Sequence, residues 1–184
     1  MIFSRLFRPQ WQHANPQKRL AAVAGFDPDA DEQRRLLREL AFNDAERQVR
    51  LAALQRLATL ELWYLAGHQD ADAGLRKQAL AQVSSLLCDA AADAAKVADF
   101  VGHCKDSKLI ESLWRQLPHV AARQAALTRL NKERLFADAA DSDTDGTLRL
   151  WAANHVEEDK LLTRLAKKGS DPQVAGHRQF QTTA

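Results

Sequence analysis

Apolar positions recur along this chain at helical spacing, in segments too short for any one of them to enclose a core. Val49, Ala53 and Leu57 fall four residues apart with Leu54 beside them, which lays a single apolar stripe along one helix. Leucine-rich runs such as Leu36-Leu37-Arg38-Glu39-Leu40-Ala41, Leu60-Glu61-Leu62-Trp63-Tyr64-Leu65, Leu109-Ile110-Glu111-Ser112-Leu113-Trp114 and Leu161-Leu162-Thr163-Arg164-Leu165-Ala166 form a second helical pattern. Polar turns separate the two, among them Phe42-Asn43-Asp44-Ala45 and Gly67-His68-Gln69-Asp70. Asn and Asp there can serve as caps. The predicted unit is a short helix, a polar turn and a second helix, each helix with one stripe to bury.

The unit repeats. Arg19, Arg50, Arg76, Arg123 and Arg149 each open a stretch of small and apolar residues, and Arg50 to Arg76 and Arg123 to Arg149 both span 26 positions. Asp44, Asp70 and Asp143 each stand six residues before an arginine of the series. An acid in a turn and a base in the following helix can pair across unit boundaries, so these arginines are expected to be partly buried and bound to turn acids. The interval from Arg76 to Arg123 is 47, close to two units, which implies a degenerate unit between them. The predicted organisation is an amphipathic capping arm over residues 1–14 followed by one array over 15–182. Its units lie near 15–30, 31–57, 58–83, 84–105 (degenerate), 106–130, 131–156 and 157–182.

No unit buries its stripe alone, so stacked units must join their stripes into one core. The fold class is therefore all-α, an α-solenoid of short helix pairs in a right-handed superhelical stack. Its core is expected to hold Leu37, Leu40, Val49, Leu54, Leu65, Leu80, Leu113, Leu127, Leu148 and Leu165. In the arm, Ile2, Phe3, Leu6 and Phe7 share a helical face, which suits a cap over the open end of the array better than a membrane anchor.

The leucine-rich first helix, the turn aspartate, the pairs Val49-Arg50, Leu75-Arg76 and Leu148-Arg149, and the alanines after them resemble HEAT repeats of the armadillo-type class, in a short-unit form. The likeness covers roughly residues 15–182. Phe3-Ser4-Arg5-Leu6-Phe7, Trp11-Gln12-His13 and Asn15-Pro16-Gln17-Lys18-Arg19-Leu20 are more narrowly similar to the N-terminal HEAT-like segment of large bacterial proteins classed under domain of unknown function 349. That resemblance implies a cytoplasmic protein whose later part is charged and long-helical, this chain being either a short relative or the N-terminal part of such a protein. The extended surface of a solenoid and the lack of a catalytic set predict a non-enzymatic scaffold for protein–protein interaction. The partner is then another protein or the C-terminal remainder of the same chain. The last unit departs from the pattern, with Ala175 at the position of the repeat arginine.

Composition agrees with helix. Of 184 residues 33 are Ala and 26 are Leu, against 10 Val and Ile together, and β-branched side chains are the ones that favour strands. Lys and Arg exceed Asp and Glu by only 26 to 24, which gives no bulk charge argument for a nucleic-acid or membrane partner. Cys88 and Cys104 are too few to staple a secreted scaffold and read as buried thiols. Arginines interrupt the apolar start, so it lacks the h-region of a secretory signal, and no window approaches a membrane span.

Candidate chemistry is sparse. Asp141, Asp143, Asp145 and Gly146 match the opening of a calcium-binding EF-hand loop, but its twelfth position, which needs a bidentate glutamate, is Ala152. The repeat accounts for Asp143 and Arg149 without a metal. Cys88, His103 and Cys104 lack zinc-site spacing and a fourth ligand. There is no nucleophile elbow, Walker loop or dinucleotide fingerprint, and no cofactor is implied. Clustered bases at Arg34, Arg35 and Arg38 offer the alternative function, a nucleic-acid-binding module with a basic face. Trp63, Trp114 and Trp151 read as core, and one left exposed would mark a binding hot spot.

Overall fold

The computed structural model of the protein describes residues 9–168 and Val174. Among the described residues there are eleven α-helices and no strands, so the chain is all-α. Residues 1–8 of the expected capping arm, and all of the final stretch of the last unit except Val174, lie outside the described residues. No helix among the described residues is long and apolar enough to cross a membrane.

The chain divides into two compact units, residues 1–86 and residues 87–184. In the first, α1 (Pro16–Gly25), α2 (Asp31–Asn43), α3 (Arg47–Leu57), α4 (Leu60–Gln69) and α5 (Ala73–Leu87) follow one another, α5 running one residue past the division. Pro16 pre-sets the first turn of α1, and the Asn15 side chain accepts from the Gln17 amide, so this helix has a defined start. A 3-10 turn at Gln10–Gln12 packs on α1, and α3 packs against both α1 and α2. The stripe of α3 puts Val49, Ala53, Leu54 and Leu57 in the core, facing Leu37, Leu40 and Ala41 of α2.

The second unit holds α6 (Ala94–His103), α7 (Ser107–Leu113), α8 (Val120–Leu130), α9 (Glu133–Ser142), α10 (Gly146–Ala153) and α11 (Asp159–Lys168). Asp93, Asp106 and Asp145 cap α6, α7 and α10 with their side chains. Here α6 packs on α8, α9 on α10, and α11 on α9.

The two units share a register. From α3 to α8, from α4 to α9, and from the start of α5 to the start of α10 the offset is 73 residues each time. Buried positions follow it, as Leu54 and Leu127, Trp63 and Phe136, and Leu75 and Leu148 show. So do the only left-handed residues among those described: Ala58 (φ 49°) ends α3 and Asn131 (φ 46°) ends α8.

Of the ten side chains expected in the core, eight are buried, while Leu65 and Leu80 are half-buried. Each sits one turn-step off the stripe of its own helix, whose buried positions are Leu62, Trp63, Ala66 and Gly67 on α4 and Leu75, Ala79, Val83 and Leu87 on α5. A leucine-rich run does not say which of its leucines faces inward. α5 also continues through the position where the degenerate unit was expected to begin.

Candidate functional site

The turns between paired helices carry a repeated side-chain ladder. Arg50 donates from Nε and Nη2 to the two carboxylate oxygens of Asp70 at 2.7 and 2.8 Å. Its Nη1 donates to the carbonyls of Asp44 and Ala45, six and five residues before it, at 2.9 and 3.2 Å. Arg123 treats Asp143 the same way, at 2.9 and 3.1 Å, and clamps the carbonyls of Leu117 and Pro118. Arg19 binds Asp44 at 2.6 and 2.7 Å and clamps His13 and Ala14. A planar guanidinium has two edges, and here each rung uses one for an acid and the other corner for main chain.

Each aspartate holds several partners at once. Asp44, Asp70 and Asp143 stand immediately after α2, α4 and α9, where they end the helix instead of beginning the next. Their carboxylates also accept the backbone N–H two residues on, from Glu46, Asp72 and Asp145, forming Asx turns. Their carbonyls accept Nη1 of the arginine of their own unit, Arg50, Arg76 and Arg149. An aspartate therefore joins the arginine of the preceding unit to the arginine of its own.

Burial makes these pairs consequential. The Arg50 and Asp70 side chains retain 9% and 4% of their exposure. Hydrogen bonds from Arg50 hold the Asp70 carboxyl below the usual carboxylate range against the opposing effect of burial. At Asp44 burial pushes the carboxyl up, and Arg19, the Glu46 amide and the charge of Arg50 together overcome it, leaving the net shift downward. The Arg19 and Arg50 guanidinium groups are raised, first by their hydrogen bonds to these acids.

The rung between the degenerate unit and the one after it loses both halves. Leu117 occupies the acid's position, since its carbonyl takes Arg123 Nη1 as that of Asp44 takes Arg50 Nη1. Val97 occupies the arginine's position, seven residues before the end of α6 at Cys104, as Arg19 stands seven before Phe26 at the end of α1. Val97 and Leu117 are both buried. Exchanging both members of an ion pair for apolar side chains avoids leaving a charge uncompensated.

A second arginine series escaped the sequence reading. Arg56 Nη2 donates to the Phe26 carbonyl after α1, and Arg129 Nε donates to the Cys104 carbonyl after α6 at 3.1 Å. Both bases lie one residue before the last leucine of their helices, 73 positions apart. They cap the C-terminal carbonyls of the preceding second helix, where positive charge is favoured by the dipole. The recurrent Arg-Leu ending of α3 and α8 was the available signal.

The other sequence candidates fall as follows. Arg34 pairs with Asp31, and Arg35 with Glu32 at 3.0 Å, within α2, while Arg38 is exposed. The structure spends two of the loop acids elsewhere: Asp143 binds Arg123, and Asp145 accepts from the Leu148 amide and the Thr147 hydroxyl. Among the described residues no group of three His, Cys, Asp or Glu side chains is placed to hold a metal ion. Cys104 is buried and Cys88 half-buried, its thiol pushed up by burial.

Trp63 and Trp114 are buried, whereas Trp151 is half-exposed. The exposed His155 ring stacks on Phe136 at 5.0 Å and 15° and leans on Trp151 at 4.3 Å. His155 Nδ1 lies 2.9 Å from the Trp151 carbonyl, which fixes the ring. The positions 73 residues earlier are Trp63, Gln78 and Gln82, so the aromatic cluster belongs to the second unit alone. Compared with protein-family models, with curated proteins and with solved structures, the chain matches none.

Proposed function

We propose that this chain is a non-enzymatic protein-interaction scaffold, an α-solenoid of short HEAT-like helix pairs in a right-handed stack, working in the cytoplasm. The observation that carries the reading is the rung. An arginine of one helix pair binds the turn aspartate of the next, and the same contact recurs at Arg19, Arg50 and Arg123. Repetition of one supersecondary unit linked only to its neighbour is the construction principle of solenoids. Two free thiols suit a reducing compartment. The part that meets a partner is the cluster of Trp151 and His155 over Phe136, because tryptophan is enriched among the few residues that dominate binding energy at protein interfaces and Trp151 is left half-exposed.

Affinity capture from native lysate, with and without nuclease, tests the reading. One protein retained after nuclease, and lost with Trp151→Ala, supports it. Loss of every partner after nuclease transfers the function to the nucleic-acid alternative.

A further inference from the structure

One arginine of the series, Arg76, is held like the others but has no acid in its fork among the described residues. Arg76 Nη1 donates to the carbonyls of Asp70 and Ala71, six and five residues before it, at 2.6 and 3.1 Å. This is the clamp that orients Arg19, Arg50 and Arg123. In those three the Nε and Nη2 edge takes both oxygens of an aspartate that stands 25, 20 and 20 residues later. The turn acid stands six residues before the next arginine position, and six residues before Val97 the chain has Ala91, so the sequence supplies no acid there.

The acids just before Arg76 are committed elsewhere. Asp70 is bound by Arg50, and Asp72 accepts from the Leu75 amide and lies 3.3 Å from Arg47. Residues 73–87, which form α5, contain Arg76 and Lys77 and no Asp or Glu. The side chain is partly buried, its orientation is set by two main-chain hydrogen bonds, and its remaining donors point along one edge with no counter-anion among the described residues.

We infer that the Nε and Nη2 edge of Arg76 is a binding site for a carboxylate presented by an acidic segment of a partner protein. The side-on geometry is that which the three sibling arginines already satisfy with aspartate, and bidentate carboxylate recognition is what a fixed guanidinium fork does best. Because the clamp holds the fork in place before binding, little side-chain entropy is lost when the anion arrives. The inference rests on the scaffold reading for the identity of its ligand's carrier, not for the chemistry of the site.

The test is a titration of the labelled chain, following the side-chain Nε–H resonances of the arginines by NMR at constant ionic strength. The probe is a blocked tripeptide with a central aspartate, and the control is the same peptide with asparagine. The expected result is a saturable shift of the Arg76 resonance in the millimolar range with the aspartate peptide only, with Arg19, Arg50 and Arg123 unmoved. Arg76→Lys, and Arg76→Gln as a second variant, should retain the wild-type circular dichroism and abolish the remaining peptide-induced shifts. No shift at Arg76, or the same shift with the asparagine peptide, overturns the site. Displacement of the peptide by inorganic phosphate at lower concentration overturns the carboxylate assignment in favour of a phosphate ligand. Peptide binding at Arg76 with every lysate partner lost to nuclease would sink the scaffold reading and leave the site standing. A nuclease-resistant partner with no peptide binding would do the reverse.

Discussion

Gly67 on α4 and Leu80 on α5 fit each other without room for one more carbon: a Cβ built on Gly67 would lie 2.7 Å from Leu80 Cδ2 and 2.8 Å from its Cγ. The positions 73 residues later are Ala140 and Ala153, a larger residue in the first place and a smaller one in the second. Gly67→Ala should therefore destabilise the protein by about 1–3 kcal/mol through overpacking. Gly67→Ala with Leu80→Ala should recover part of that loss, giving a coupling of at least about 0.5 kcal/mol in a denaturant double-mutant cycle. Strict additivity would show that the two side chains do not press on each other.

Arg50→Ala should cost on the order of 3 kcal/mol, because it leaves the Asp70 carboxylate, 4% exposed, without its main partner. Urea unfolding measures it. A loss under about 0.5 kcal/mol, the size usual for an ordinary surface change, would mean that the rung contributes nothing to the fold.

The apolar rung of Val97 and Leu117 can be copied. Arg123→Val alone should be strongly destabilising, since Asp143 then keeps a buried charge, whereas Arg123→Val with Asp143→Leu should be the more stable of the two by at least about 1 kcal/mol. The comparison of the two midpoints decides it, and a double variant worse than the single one would refute the register assigned to Val97 and Leu117.

Acid should unfold this protein through its turn aspartates. The folded carboxyls of Asp44 and Asp70 lie below their ordinary value, so the stability they contribute is fully present above the unfolded carboxylate pKa of about 3.9 and is lost as pH falls through the depressed folded values. The raised arginines add no dependence near neutrality, because they stay charged on either side of unfolding. Thermal melts should be flat in this respect from pH 8 to 5 and fall steeply below about pH 4. Asp70→Asn should start from a lower midpoint and show a shallower acid slope.

Nucleic acid should bind negligibly near physiological salt. Arg34 and Arg35 are each faced by an acid of their own helix, Asp31 and Glu32, which cancels most of the local field that phosphates would sense. Micromolar binding in a gel shift, falling steeply with salt and abolished by Arg34→Glu with Arg35→Glu, would contradict this.

Charged residues made the ladder's register legible in the sequence, because an acid six positions before a base stands out against alanine and leucine. Helical character was legible for the related reason that alanine and leucine crowd out β-branched side chains. The identity of the inward leucines was not, as Leu65 and Leu80 show, since neighbouring leucines on one helix compete for the same face. Arg56 and Arg129 were missed because their partners are main-chain carbonyls, which leave no mark on residue identity. Val97 and Leu117 were invisible for a different reason: an apolar pair replacing an ionic one reads as ordinary core.

Every rung closes a loop of 20 or 25 residues, so the charged contacts of the first unit ask for no distant pairing. Short closures lose little chain entropy, and structures built from them have low contact order and fold fast. Once synthesis has passed Asp70, all the acids needed by Arg19 and Arg50 already exist on the nascent chain. The ladder can then zip in the order of translation, and the second unit need not have been made for the first to reach its native turns.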